Sequence, residues 1–176
     1  MCATNKFARQ GDAASKRGAL VVFSAILARL SLTLWVGGLW IVGYLVAPVL
    51  FASLPTRLLA GEVAGQLFGW MGWIGVGCGV YLLAYHYSRQ PQQTLRSWRF
   101  VALCLMLLLS VAQLFWLQPV IAQIKAELGP LVASGDRGGR FAFWHGVSAL
   151  TYLLQSLLGA ALVAVNAFAE GRDETR

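Results

Sequence analysis

The stretch Leu30-Ser-Leu-Thr-Leu-Trp-Val-Gly-Gly-Leu-Trp-Ile-Val-Gly-Tyr-Leu-Val-Ala-Pro-Val-Leu-Phe51 is the first of four long apolar runs in this sequence. The other three cover residues 66–85, 100–117 and 141–168. An α-helix needs roughly 20 apolar residues to cross the hydrocarbon core of a bilayer. Four runs near or above that length predict an all-α membrane protein, built as a four-transmembrane-helix bundle.

The composition supports one membrane domain. Of the 176 residues, 58% are hydrophobic and only 12% are charged, whereas soluble domains carry about 25% charged residues. We predict a membrane domain over residues 19–168, between a disordered basic tail (1–18) and a polar C-terminal tail (169–176). The expected spans are about 30–51, 64–87, 98–118 and 141–168.

The net charge of +7 is interpreted as a signal of orientation. The basic residues are spread over tails and loops and form no single patch, so we expect no nucleic-acid partner. Cytoplasmic loops of membrane proteins carry an excess of Lys and Arg. Nine basic residues fall on the side of the termini and four on the other side, which predicts a bacterial inner-membrane protein with both termini in the cytoplasm. The four are Arg57, Lys125, Arg137 and Arg140.

Several boundaries follow from single residues. An Arg at the bilayer centre is costly, so we expect Arg29 at the cytoplasmic boundary, with residues 19–28 projecting or lying along the surface. Pro48 and Pro55 are predicted to bracket the turn that ends the first span. Beyond Pro119, apolar residues at helical spacing predict a short amphipathic helix at the outer interface. Those residues are Val120, Ile121, Ile124 and Leu128.

Glycines recur every four residues at the start of the second span. Gly61, Gly65 and Gly69 share one helix face, and small residues at this spacing let another helix approach closely. Gly37 and Gly38 in the first span are predicted to serve the same purpose. Tight packing inside the bundle is the favoured interpretation, and a dimer interface is the alternative.

The fourth run carries a polar stripe. His145, Ser148, Tyr152 and Gln155 follow 3, 4, 3 spacing and share one helix face, which we expect to face the bundle interior because polar side chains are costly in lipid. Antiparallel spans bring further polar groups to the same depth, which predicts a polar cluster in the outer half of the bundle. The candidate members are Glu62, Gln66, Gln113, Arg140, His145, Ser148 and Tyr152, with Tyr44 and Gln118 nearby. Structural hydrogen bonding and a ligand or proton site both fit this cluster.

We predict no cofactor, no metal and no enzymatic activity. His145 and His86 lie near opposite ends of the membrane domain, so they cannot share a metal ion or a haem. Cys78 and Cys104 are interpreted as packing residues, since no paired metal-ligand or redox motif accompanies them. The sequence contains no phosphate loop, nucleophile elbow or zinc-protease motif.

Three segments together resemble a known family. They are Leu34-Trp-Val-Gly-Gly-Leu-Trp-Ile-Val-Gly-Tyr-Leu-Val-Ala-Pro-Val-Leu-Phe51, Leu59-Ala-Gly-Glu-Val-Ala-Gly-Gln-Leu-Phe68 and Arg140-Phe-Ala-Phe-Trp-His-Gly-Val-Ser148. The set resembles the bacterial branch of the transmembrane protein 205-like family over roughly residues 30–168. This likeness implies a compact four-helix membrane bundle and leaves the activity open. The family pattern places Asn four residues after Ser148, where this chain has Tyr152.

Two functions are consistent with these features. The first is a non-enzymatic membrane protein that acts by helix–helix contact, as a homo-oligomer or as a partner of another membrane protein. The second is a small carrier or permeation element for an ion, metal or small polar solute, which would use the polar cluster.

Overall fold

Helices account for nearly all of the backbone in the computed structural model, which describes residues 3–89, 97–128 and 139–173. Residues 1–2 and 174–176 of the predicted tails lie outside this range. The elements are α1 (Ala3–Trp40), π1 (Ile41–Val46), α2 (Ala47–Ser53), α3 (Arg57–Arg89), α4 (Trp98–Ala112), π2 (Gln113–Leu117), α5 (Gln118–Leu128) and α6 (Gly139–Asp173). Here π1 and π2 are π-helical turns inside longer helices, and no strand occurs in the described ranges.

Within these three ranges, four helices are long and apolar enough to cross a membrane, as the four apolar runs predict. They cover Lys16–Ser53, Arg57–Arg89, Trp98–Glu127 and Gly139–Val165. The shortest has 27 residues, which at 1.5 Å per residue is about 40 Å of helix. Large apolar side chains such as Leu108 and Leu150 are more than 60% exposed, which suits a surface in contact with lipid. The described part of the chain is therefore all-helical, with four candidate membrane spans.

The first helix starts well before the first apolar run. Its backbone is helical from Ala3, in the region where the sequence predicts a disordered tail. Residues 19–28 pack beside the end of α3, because the Tyr81 hydroxyl donates to the Ser24 carbonyl and the Arg89 guanidinium donates to the Val21 carbonyl. The segment continues the first helix without a break, so it does not lie along the membrane surface as a separate element. Its expected projection beyond the membrane stays a prediction.

The packed core surrounds Trp35, which is fully buried on α1. Its indole lies against two glycines of α3: a Cβ built on Gly75 would be 2.5 Å from Trp35 Nε1, and one on Gly79 would be 3.0 Å from the Trp35 ring. Met106 of α4 is also fully buried, and Leu162 of α6 is 2% exposed. All four spans thus contribute to the core.

The predicted glycine ladder is not what brings the helices together. A Cβ on Gly37, Gly65 or Gly69 would meet nothing within 4 Å, so the prediction of packing inside the bundle is wrong for these three. Gly38 does pack, since its Cβ would lie 2.7 Å from Met71 Cε, and Gly61 lies near Lys125 Nζ. Spacing identifies a face of small residues, but it does not say which face meets a helix.

We expect Gly75→Ala to lower the free energy of unfolding by about 1–3 kcal/mol, the usual cost of forcing extra volume into a packed core. The added methyl meets the indole of Trp35, which has no room to move. Gly77→Ala is the matched control, because a Cβ there meets nothing within 4 Å. Reversible unfolding in mixed micelles measures both.

The control should be neutral or up to about 1 kcal/mol more stable, since Ala is the better helix former. Equal stability changes in the two variants would contradict the assigned contact between Trp35 and Gly75.

Candidate functional site

Two prolines lie inside the spanning helices, and each follows a π-helical turn. The turn π1 ends at Val46, two residues before Pro48, and π2 ends at Leu117, two residues before Pro119. Proline has no N–H, and its ring clashes with the carbonyl four residues earlier, which here belongs to Tyr44 or Phe115. A wider π turn displaces that carbonyl, and such turns often occur at functional sites.

The prolines therefore do not end the helices, contrary to the sequence prediction for Pro48. The first helix continues as α2 to Ser53, and the third continues as α5 to Leu128. The real break is at Leu54, which is extended (ψ 145°) before Pro55, as residues before proline prefer. Thr56 then caps α3 by accepting the Leu59 N–H at 3.2 Å. This α2–α3 turn, α5 and the start of α6 form what we call the distal end of the bundle.

Tyr152 of α6 joins the first helix at π1. Its hydroxyl donates to the Leu39 carbonyl, and the backbone of Gly43 also hydrogen-bonds the phenol group. In a regular α-helix the Gly43 N–H would bond the Leu39 carbonyl, so the Tyr152 hydroxyl is inserted into the helix ladder at this point. Any Cβ on Gly43 would collide with the Tyr152 ring. Glycine at 43 is therefore required by the close approach of a side chain.

Hydrogen bonds from buried amides also tie α6 to the third helix. The Gln113 amide at the start of π2 donates to the Ser148 hydroxyl, and the Gln155 amide donates to the Ser110 hydroxyl. Gln113, Gln155 and Ser110 are buried. The polar stripe on α6 thus follows one seam, along which its hydrogen bonds reach the junction of α1 and π1, π2 and α4.

A groove of about 480 Å³ opens beside this seam. Both π turns contribute to its wall, through Gly43 and Tyr44 of π1 and Gln113 of π2. Most of the remaining wall is apolar and comes from Ala47, Pro48, Phe51, Phe68, Ala149 and Leu153. His145, Ser148 and Tyr152 supply the polar edge.

A second cavity of about 130 Å³ adjoins the groove and is more polar. The two share Phe51, Phe68, His145 and Ser148 as walls. Arg57 and Lys125 line the second cavity, and Lys125 Nζ donates to the Gly61 carbonyl at 3.0 Å. The carboxylate of Glu62 is close enough to Lys125 to interact electrostatically but does not line the cavity.

The remaining charged groups of the distal end lie at its rim. Arg140 pairs with Glu127 at 3.4 Å, and both side chains are well exposed, so the pair contributes little to stability. The ring of His145 stacks on that of Phe141 with centroids 5.7 Å apart. Ile121 and Ile124 of α5 pack against Phe141 below this rim.

The structure brings most of the candidate polar residues together. Gln113, His145, Ser148 and Tyr152 line the groove, and Arg140 lies at the rim. Glu62 and Gln66 do not join them, since both side chains are exposed on another face of α3. Antiparallel order fixes the depth of a residue, but the direction it faces depends on how α3 is rotated.

Sequence reasoning missed three residues of the site. Gly43 was not singled out, although it shares a helix turn with Tyr44 and precedes Pro48 by five residues. Arg57 and Lys125 were counted only for orientation. For Gly43 the available signal was a Gly or Pro inside an apolar run. No local sequence pattern indicates that Arg57 of α3 and Lys125 of α5 come together.

The side chains of the site can offer a ligand charge and hydrogen bonds. Within the described side chains, no group of three His, Cys, Asp or Glu residues is placed to hold a metal ion. Cys78 and Cys104 are free thiols in the core and its edge, away from these walls. The arrangement offers cations, amides and hydroxyls at one end of an apolar groove.

Removal of the Tyr152 hydroxyl should destabilise the bundle. In Tyr152→Phe the Leu39 carbonyl loses its donor, and we expect a loss of about 1 kcal/mol, within the usual range for interhelical hydrogen bonds in membranes. Tyr44→Phe is the control, since Tyr44 is 52% exposed and contacts Tyr152 through its ring edge. Unfolding in mixed micelles measures the difference, and an equal effect of the two substitutions would refute the inserted hydroxyl.

Of the comparisons with known proteins, the one with family models gave a match. Curated proteins and solved structures gave no significant match. A family model described as "Domain of unknown function (DUF4149)" matches residues 30–129, which is more than half of the chain. The match covers the first helix from Leu30 onward and the whole of α3 and of the third helix. The chain therefore belongs to this family of domains of unknown function.

Proposed function

We propose that this protein is a non-enzymatic integral membrane protein that assembles with a second copy of itself through α3. The face concerned, which we call the α3 face, consists of Glu62, Gln66, Gly69 and Trp73 at 4, 3, 4 spacing. The observation that carries this proposal is a polar side chain that is exposed within a spanning helix. Gln66 is exposed, nine residues and about 14 Å into α3.

An amide that faces lipid is costly, whereas an amide between two helices can bond across the interface. Gly69, one turn further along, has open space where its Cβ would be, so a second backbone can approach there. Trp73 is 53% exposed beside it. A symmetric pair of α3 helices would cover Gln66 with Gln66, as a two-fold interface requires.

We also propose in which membrane the protein lies and how it is oriented there. Even spans put both termini on one side, and the excess of basic residues there favours the cytoplasm of a bacterium, with the distal end on the outer side of the inner membrane. The segments that resemble the transmembrane protein 205-like family support membership of its bacterial branch. In this arrangement α5 is the amphipathic segment at the outer interface.

Cysteine cross-linking in native membranes tests the assembly. After replacement of Cys2, Cys78 and Cys104, the variants Gln66→Cys and Gly69→Cys should each form a covalent dimer of twice 19.1 kDa. Leu108→Cys and Leu157→Cys are matched controls, 63% and 60% exposed on α4 and α6. These should stay monomeric.

Equal cross-linking at all four positions would show random collision. A monomer in every variant, also after gentle extraction, would overturn the proposed assembly through α3.

A second candidate is the small carrier or permeation element for an ion, metal or small polar solute. The observation that favours it is the pair of adjoining cavities lined by His145 and Ser148. Because Glu62 does not line either cavity, such a carrier would work without it. It would also need a path through the core around Trp35, which is closed.

For the carrier, His145→Leu should abolish solute uptake into proteoliposomes without lowering the amount of inserted protein. Glu62→Gln and His86→Leu, which change groups outside the cavities, should leave uptake unchanged. If His145→Leu only prevents accumulation in the membrane, the polar seam is structural and the carrier function is rejected.

A further inference from the structure

We propose that the joined cavities at the distal end bind an anionic amphiphile, with its headgroup at Arg57 and Lys125 and its acyl chain in the groove beside π1. The proposal is independent of assembly through α3, since Gln66, Gly69 and Trp73 line neither cavity. It stands on the shape, the segregated walls and the charge of the site.

The site consists of two adjacent compartments, the smaller and the larger cavity. Phe51, Phe68, His145 and Ser148 belong to the walls of both, so a ligand in one can reach the other. The larger volume of about 480 Å³ falls in the range of about 300–1,000 Å³ that is typical of small-molecule sites. Gly65 faces the smaller cavity, and open space surrounds the position of its missing Cβ.

The two compartments differ in chemistry. Rings and aliphatic groups line most of the larger one, including Pro48, Phe68 and Leu153. The smaller one adds Arg57, Lys125 and Gln118. A ligand that satisfies both ends has an apolar chain and a polar head.

The charge of the smaller compartment selects an anion. Arg57 and Lys125 line it, and none of its described lining residues is acidic. The bond from Lys125 to the Gly61 carbonyl uses one of the three donors of an ammonium group. Glu62 lies near Lys125 but outside the cavity walls, so it offsets part of the charge without filling the space. A phosphate or carboxylate would complete the hydrogen bonding there.

The position in the fold suits a lipid-derived ligand. Arg57 is the first residue of α3, at the level where a spanning helix leaves the hydrocarbon and lipid headgroups begin. The groove runs from there towards Tyr152, alongside the spanning segments. A phospholipid of the bilayer and a free fatty acid share the required chemistry, and the experiment separates these two sources.

Native mass spectrometry of the full-length protein in an uncharged detergent provides the test, with three probes added in turn: phosphatidylglycerol, oleate and phosphatidylcholine. We expect one tightly bound anionic molecule per chain and weaker binding of the zwitterionic lipid. Lys125→Gln should weaken anion binding about tenfold, equivalent to loss of one charge-assisted hydrogen bond. Lys16→Gln on α1, an exposed lysine far from the cavities, is the matched control and should bind normally.

Gly65→Leu supplies a second variant, because its side chain fills the smaller cavity without removing a charge. It should weaken binding of the same probe even if Lys125→Gln fails to fold. Preference for phosphatidylglycerol identifies a bilayer lipid, and preference for oleate identifies a free fatty acid. Equal binding of phosphatidylcholine, or anion binding unchanged in both Lys125→Gln and Gly65→Leu, would overturn the site.

Discussion

Every backbone N–H and C=O inside a bilayer must find a partner within the protein, because hydrocarbon offers none. Pro48 and Pro119 strain this rule, since each lies inside a helix apolar enough to span a membrane. The two helices respond in the same way, with a π turn that ends two residues before the proline. At π1 the repair includes another helix: the Tyr152 hydroxyl enters the ladder at Leu39 and Gly43. The position of α6 is thereby coupled to a proline on the first helix.

This repair divides the bundle into two halves. On the side away from the distal end, Trp35 packs against Gly75 and Gly79, and the buried Ser110–Gln155 bond closes the space between α4 and α6. Towards the distal end, the π turns widen the helices. The residues between these helices surround the two cavities and do not fill them. The polar stripe of α6 therefore has two roles. Gln155 bonds Ser110 in the closed half, whereas Tyr152 and Ser148 bond neighbouring helices and also line the groove with His145.

The sequence was sufficient for the features that depend on periodicity and total length. Four apolar runs predict four spanning helices, and the 3, 4, 3 spacing identifies a polar face on α6. Antiparallel order places Gln113 at the depth of that face, but it does not predict the bond to Ser148. Helix ends were harder to predict. At position 48, proline predicts the end of a helix, but a π turn and a tyrosine from another helix compensate for it. That tyrosine, Tyr152, lies more than 100 positions away in the sequence.

Helix rotation was the other quantity that spacing could not supply. Gly65 and Gly69 form a ladder as regular as Gly75 and Gly79, yet only the second pair meets a large buried ring. Likewise, Glu62 and Gln66 have the depth of the cluster but face away from it. These outcomes depend on which side of α3 packs against Trp35. That contact joins two spans that are distant in the sequence.

The accessibility of position 148 in a lipid nanodisc tests this division of the bundle most directly. In a variant that lacks Cys2, Cys78 and Cys104, the rate at which a charged thiol reagent modifies Ser148→Cys is compared with that for Ser110→Cys, which lies on the closed side of the Tyr152 contact. We expect rapid modification at 148 and protection at 110. Equal protection at both positions would show that the seam is closed throughout and that the cavities do not exist in the membrane.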